Sequence, residues 1–230
     1  MTKSPNLQKT ARQILNVIFP INCLMCGRES DWLCEGCLKK LTISRSITCC
    51  LCGKYSENAG LCQKCQKDTK LAGVIALFNY QDPAIGRLVK AAKYQKYPDA
   101  LRFLLLNYRA QILKRLPAGD WQFTFVPSSP AHQKKRGFNQ AEVIARALAG
   151  KEFSVFKTLE KSRETEPQVG LDRKDRLANL AGAFGATRKV GADVVICDDV
   201  ITTGTTLKEA ARTLRKAGVK RILAITIAHG

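Results

Sequence analysis

Four Cys-x-x-Cys pairs crowd one short stretch of the chain: Cys23 with Cys26, Cys34 with Cys37, Cys49 with Cys52, and Cys62 with Cys65. Nine of the ten cysteines lie between Cys23 and Cys65, and the tenth, Cys197, stands alone near the C-terminus. One such pair fits a redox couple. Four in succession fit a metal scaffold, because each pair on a tight turn supplies half of the thiolates that tetrahedral Zn²⁺ takes. The spacing therefore predicts two structural Zn²⁺ sites, each fully ligated by protein and with no open position for catalysis. Sequential use, with Cys23, Cys26, Cys34 and Cys37 in one site and Cys49, Cys52, Cys62 and Cys65 in the other, is favoured over an interleaved cross-brace. Cys50 breaks the spacing and reads as a free thiol beside the second site, or as a substitute for Cys49. Cys197 sits in an apolar run and reads as packing.

Secreted scaffolds also concentrate cysteine, so disulfides are the competing reading. The N-terminus argues against export. Leu7, Ala11, Ile14, Leu15 and Ile18 recur at helical spacing, while Lys9, Arg12, Gln13 and Asn16 interrupt any continuous apolar run, as in a short amphipathic helix rather than a signal peptide. No apolar stretch has the length of a bilayer span. The expectation is a cytoplasmic protein whose thiols stay reduced. Its formal charge of +19 predicts a surface that attracts polyanions, either as a solubilising coat or as a nucleic-acid contact.

Beyond Lys70 the texture changes to alternating apolar elements, and the domain boundary is expected there. Val74 to Tyr80 reads as a strand, and Pro83 opens a helix with Ile85, Leu88, Val89 and Ala92 on one face. Leu101, Leu104, Leu105, Tyr108 and Ile112 repeat that spacing after Pro98. Trp121 to Val126 reads as a buried strand, Val143, Ile144, Ala147 and Leu148 as a helix, and Phe153 to Leu159 as a further strand. Asp193 to Cys197 is a strong strand, Leu207, Ala210, Ala211 and Leu214 form a helix face closed by Gly218, and Arg221 to Ala228 is the last strand. This alternation predicts an α/β fold: a mostly parallel sheet with helices on both faces and a site beyond the carboxyl ends of its strands.

One such strand end carries the most chemistry. Val194, Val195, Ile196 and Cys197 run into Asp198, Asp199, Val200, Ile201, Thr202, Thr203, Gly204, Thr205 and Thr206. Backbone N–H groups and hydroxyls from Thr202 to Thr206 can surround a phosphate, at which the next helix points its positive end, and Gly204 allows close approach. Paired carboxylates repel phosphate but accept hydrogen bonds from neighbouring sugar hydroxyls and help to hold hydrated Mg²⁺. Together they suggest a sugar phosphate. The plainer alternative is a solvated Asp-Asp turn followed by a threonine helix cap.

The segment after Val126 offers a second anion site. Pro127, Ser128, Ser129, Pro130, Ala131 and His132 lead into Gln133, Lys134, Lys135, Arg136, Gly137, Phe138, Asn139 and Gln140. Cations and small polar residues at a strand end can hold a pyrophosphate, while Asn139 is placed to cap a helix starting at Gln140. An ordinary basic surface loop is the alternative.

The strand, Asp198-Asp199 and the threonine turn resemble the binding motif for 5-phosphoribosyl 1-pyrophosphate (PRPP) in type I phosphoribosyltransferases. Arg136-Gly137-Phe138-Asn139-Gln140 matches a signature of the ComF (ComF/GntX-like) family of competence and DNA-utilisation proteins. Arg163, Thr165, Gln168, Leu171, Arg176, Asn179, Gly182, Ala183 and Phe184 resemble that family's long loop and following helix, and Lys93-Tyr94 resembles another of its elements. The resemblance implies an N-terminal helix and double zinc-ribbon module over residues 1–68 and a phosphoribosyltransferase-like domain over residues 69–230. It gives Asp198 and Asp199 the ribose hydroxyls and catalysis. Val200 to Thr206, Ser128, Ser129, Lys134, Lys135 and Arg136 would bind PRPP with Mg²⁺, and the loop from Arg163 to Asn179 would close over it. Ser128-Ser129 departs from the family's usual Pro-Val-Pro-Leu-His run, which leaves the shape of the pyrophosphate loop open. Two functions follow: ribosyl-phosphate transfer to an unnamed acceptor, or single-stranded DNA binding and adaptor work with DNA-uptake or DNA-processing proteins. Lys93, Lys134, Lys135, Arg136 and Phe138 are the nucleic-acid candidates, with Tyr94 and Tyr97 as stacking surfaces.

Overall fold

The computed structural model of the chain describes residues 21–44, 47–56, 60–95, 97–163 and 179–230. The amphipathic helix expected around Leu7 to Ile18 lies outside them, as do Thr165, Gln168, Leu171 and Arg176 of the expected closing loop. Two short helices, α1 (Glu35–Leu38) and α2 (Gln63–Thr69), belong to the cysteine-rich segment. They are followed by β1 (Gly73–Asn79), α3 (Pro83–Tyr94), α4 (Pro98–Leu113), β2 (Trp121–Phe125), α5 (Pro130–Arg136) and α6 (Gln140–Ala149). The chain ends with β3 (Leu159–Lys161), β4 (Phe184–Ala186), β5 (Asp193–Ile201), α7 (Thr205–Lys216) and β6 (Ile222–His229).

A four-stranded sheet in the order β1-β6-β5-β2 forms the centre, and every pairing in it is parallel. Its inner strands read as near-continuous apolar runs because both faces are covered. Val194 to Cys197 and Ile222 to Ala228 are almost wholly inaccessible to solvent. On one face α4 packs on α6, and α6 on β2 and β5. Right-handed crossovers put α7 on the opposite face, where it meets α2 and the small antiparallel β3–β4 hairpin. The α/β architecture with helices on both faces is thus the one observed.

Local signals explain the helix starts. Asp82 accepts from the N–H groups of Ala84 and Ile85, and Pro83 fills the first helical position, where its missing N–H costs nothing. The apolar face of α3 then buries Ile85, Leu88, Val89 and Ala92, and each large aliphatic group there contributes about 1.5–3 kcal/mol. Leu101, Leu104, Leu105, Tyr108 and Ile112 of α4 are likewise buried.

Two expectations are revised. The run Phe153 to Leu159 is not a strand along its length: Val155 makes a single parallel bridge to Phe123, and only Leu159 enters a strand, in the hairpin with β4. Ser154 and Phe156 keep two backbone hydrogen bonds to Phe123 at the edge of β2, and beside β4 Arg188 stacks 4.1 Å over the Phe156 ring and Thr187 Oγ1 donates to the Lys157 carbonyl. The basic segment after Ser129 is also not a plain loop, since Pro130 opens the short helix α5. Among the described residues, no helix is long and apolar enough to cross a membrane.

Candidate functional site

β5 outruns its neighbour, and that difference makes the site. β2 pairs with β5 only as far as Phe125 opposite Cys197, after which Val126 N–H donates to the Cys197 carbonyl and Pro127 offers no donor. Beyond this point β5 is held by β6, with Asp198 opposite Thr226, Val200 opposite Ala228 and Ile201 opposite His229. Asp198 and Asp199 therefore stand where β2 has left the sheet.

Both carboxylates are partly buried and fold back on the chain: Asp198 Oδ1 accepts from Asp199 N–H at 2.9 Å, and Asp199 Oδ1 from Val200 N–H at 2.7 Å. Lys93, from α3, places its Nζ 2.7 Å from Asp199 Oδ2. Burial pushes the Asp198 carboxyl up to about 7, helped by the adjacent Asp199 charge and opposed by the Asp199 amide and Lys93. For Lys93, burial works against the ammonium, but the charge and hydrogen bond of Asp199 outweigh it and hold its pKa above the usual lysine value. A carboxyl poised near neutrality ionises readily when a cation or hydroxyl donors arrive.

The turn that follows is compact. Gly204 adopts the left-handed region at φ 72° and precedes the first residue of α7, without a side chain to cap the helix amides. Thr203 Oγ1 and Thr205 Oγ1 lie 2.9 Å apart across it. The N-terminus of a twelve-residue helix thus faces the same strand end as the two acids.

The segment after β2 converges there too. Asn139 Oδ1 accepts from Ala141 N–H, capping α6, while its Nδ2 donates to the Val126 carbonyl at 2.9 Å. One side chain thereby ties helix to strand end. Ser129 is buried, Lys134 is exposed, and Arg136 Nη1 donates to Gln140 Oε1 at 3.3 Å. The side chains of His132 and Lys135 lie outside the described parts. Ser128 Oγ, Gln140 Nε2 and Thr226 Oγ1 are buried without a protein partner. Such orphaned groups are costly, and a polar ligand would satisfy them. The sequence reading placed Ser128 in the site but not Gln140 or Thr226, and it assigned Lys93 to nucleic acid where the structure pairs it with Asp199. A separate cavity of about 1050 Å³, lined in part by Ile47, Tyr55, Lys114 and His229, holds neither acid nor turn.

The cysteines gather as the sequential reading expects: Cys23, Cys26, Cys34 and Cys37 in one group, Cys49, Cys52, Cys62 and Cys65 in the other, with the four sulfurs of each within 4.8 Å of one another. Cys26 and Cys34 sulfurs are 3.6 Å apart, and Cys52 and Cys62 sulfurs 3.7 Å. A tetrahedron of Zn–S bonds of about 2.3 Å has edges of about 3.8 Å, so the spacing fits the ion and excludes disulfides. Burial opposes the Cys23 thiolate, but the amides of Cys34, Cys26 and Met25 outweigh it and bring its pKa to about 6. Hydrogen bonding to Cys34, then burial, pushes Cys37 up to about 12. A central dication favours the thiolate at all four positions. Cys50 stays outside both groups, with burial first and the neighbouring Cys49 second pushing its thiol up to about 12. Cys197 is buried in β5, where burial raises its pKa strongly.

Residues 134–230 match the phosphoribosyl transferase domain family, and residues 14–66 match the double zinc ribbon domain family. The molecule is a phosphoribosyltransferase-type α/β domain joined to two structural zinc ribbons. The DNA utilization protein YhgH of Salmonella typhi is 30% identical over 211 residues, covering 87% of this chain and 92% of that protein. Competence protein F of Haemophilus influenzae is 28% identical over 222 residues (89% and 95%), and competence protein ComFC of Streptococcus pneumoniae 27% over 225 (88% and 97%). The chain belongs to the ComF family.

Proposed function

We propose that this chain binds Mg²⁺-PRPP, or a closely related ribose phosphate, at the carboxyl end of β5, and does so in the service of competence or DNA utilisation. The observation that carries the reading is the juxtaposition of two adjacent acids, of which burial raises Asp198 to about 7, with a glycine-centred turn at the N-terminus of α7. Asp198 and Asp199 accept from the vicinal ribose hydroxyls, and the 202–206 turn holds the 5′-phosphate. Ser128, Gln140, Lys134 and Arg136 face the pyrophosphate, for which the unpartnered Ser128 Oγ and Gln140 Nε2 supply donors. Bound Mg²⁺ would neutralise pyrophosphate charge, with Asp198 and Asp199 as its nearest carboxylates. If transfer to an acceptor follows, the chain contributes orientation, exclusion of water and stabilisation of the departing pyrophosphate by cations such as Arg136.

Isothermal titration with Mg²⁺-PRPP tests the site. Saturable one-to-one heat that vanishes in Asp198→Asn/Asp199→Asn supports it, and undiminished heat in that double variant refutes it. Pyrophosphate release over a panel of bases, nucleotides and single-stranded DNA then asks whether transfer occurs.

A second reading, single-stranded DNA binding, is favoured by the net charge of +19 and by the largely exposed Tyr94 beside Lys93. It predicts an affinity for oligothymidylate that falls steeply with salt; salt-insensitive binding contradicts it.

A further inference from the structure

The two cysteine clusters are fastened to different parts of the α/β domain. The first reaches the α3–α4 face: Arg87 Nη1 donates to the Leu24 carbonyl at 2.6 Å, Tyr108 Oη to the Leu38 and Leu41 carbonyls, and the Trp32 and Tyr97 rings lie 5.1 Å apart. The second reaches α7. Lys208 pairs with Asp68, Arg215 Nη2 donates to the Lys70 carbonyl at 3.1 Å, and α2 packs along the helix. At the helix start, Leu51 closes on Gly204. A Cβ placed on Gly204 would stand 2.6 Å from Leu51 Cδ2 and 3.1 Å from Cδ1. The isobutyl group therefore lies directly against the turn, where only glycine leaves room.

Leu51 has little freedom to drift. It sits inside the Cys49-Cys50-Leu51-Cys52 knuckle, whose Gly53 N–H donates back to the Cys49 carbonyl and whose Cys50 N–H donates to the Gly60 carbonyl. Metal bonds at Cys49 and Cys52, on either side, fix its backbone further. A left-handed glycine is by nature loose, because glycine loses more conformational freedom on ordering than any other residue. The rigid knuckle is set against the most deformable point of the anion turn.

We infer that the second zinc ribbon, acting through Leu51, holds the 202–206 turn in its binding shape and thereby sets the chain's affinity for the phosphate of its ligand. Leu51 is a positioning residue, and the metal at Cys49, Cys52, Cys62 and Cys65 is coupled to a ligand it does not touch. The ligand half of the inference rests on the ribose-phosphate reading above; the coupling between ribbon and turn does not.

The test compares wild type, Leu51→Ala, the conservative Leu51→Met, and Tyr108→Phe as a control on the first ribbon's contacts. Zinc content, hydrogen exchange of the 202–206 amides and the dissociation constant for ribose 5-phosphate are measured for each. Leu51→Ala is expected to keep its zinc, to exchange faster at 202–206, and to bind about tenfold more weakly, within the usual range of coupling between sites. Leu51→Met restores both readouts, and Tyr108→Phe leaves them at wild-type values. Unchanged exchange in Leu51→Ala overturns the coupling whatever the ligand does, and tighter binding in that variant overturns positioning in favour of simple occlusion. Wild-type protein that fails to bind ribose 5-phosphate overturns the ribose-phosphate reading and the ligand half of the inference, while the exchange data still decide the coupling. Should Leu51→Ala not fold, Leu51→Val carries the same comparison.

Discussion

Replacing Lys93 by methionine keeps the aliphatic stem and removes the charge that faces Asp199. In the structure the pair is 2.7 Å apart, with about a fifth of each side chain exposed (21% and 19%). That places it between exposed pairs, worth up to about 1 kcal/mol, and buried ones, whose disruption costs about 3–5 kcal/mol. A loss of about 2 kcal/mol at pH 8 is therefore expected, or about 4–8 °C in melting midpoint for a chain of this size. The loss must depend on pH, and its sign follows from Asp198. That carboxyl is raised to about 7 in the folded protein from an ordinary value of 3.8. The folded state binds more protons than the unfolded between those values, and the stability this gives is lost as pH rises through 7. Without Lys93, which lowers the Asp198 pKa, Asp198 retains its proton to higher pH. The variant's stability then goes on falling above pH 7, where the wild type's levels off, by up to about 1.4 kcal/mol per pH unit for that one proton. Thermal melts of both proteins from pH 5.5 to 8.5 should show a gap already present at the acid end, where the contact with Asp199 is lost, that widens as pH rises through 7. Parallel curves would refute the claim that Lys93 is the counter-charge of the acid pair.

Asp198→Asn removes one of two adjacent acids and leaves the Lys93–Asp199 pair in place, so it should melt higher than wild type at pH 8 and alike at pH 5; equal melting at both would contradict the burden assigned to Asp198. Zinc released by a thiol-blocking mercurial should amount to about two ions per chain, and Cys26→Ser and Cys52→Ser should each remove one of them, leaving the other. Asn139→Ala breaks both the α6 cap and the tie to Val126, and chemical denaturation should register a loss of about 2 kcal/mol.

Spacing made much of this legible in the sequence. The faces of α3 and α4 were set by apolar residues three and four apart, and the metal groups by their Cys-x-x-Cys rhythm. Reading failed where distant contacts override local preference. Aspartate disfavours strands, so the sequence-based strand stops at Cys197, yet β6 continues to pair with β5 through Ile201. Phe153 to Leu159 has strand composition, but it pairs with β2 only around Val155 before its last residue joins the hairpin with β4. Lys93 sits on the rim of a helix face like many solvated lysines; only the crossover from β1 to β2 sets α3 beside β5. Leu51 carries no sequence signal of its role, because its partner Gly204 lies far along the chain.

The decisive measurement is a crystal structure of the protein with ribose 5-phosphate. The phosphate is expected to be cupped by the amides of residues 202–206, with the sugar's 2- and 3-hydroxyls on Asp198 and Asp199. A sugar phosphate seated anywhere else, with both aspartates untouched, would contradict it.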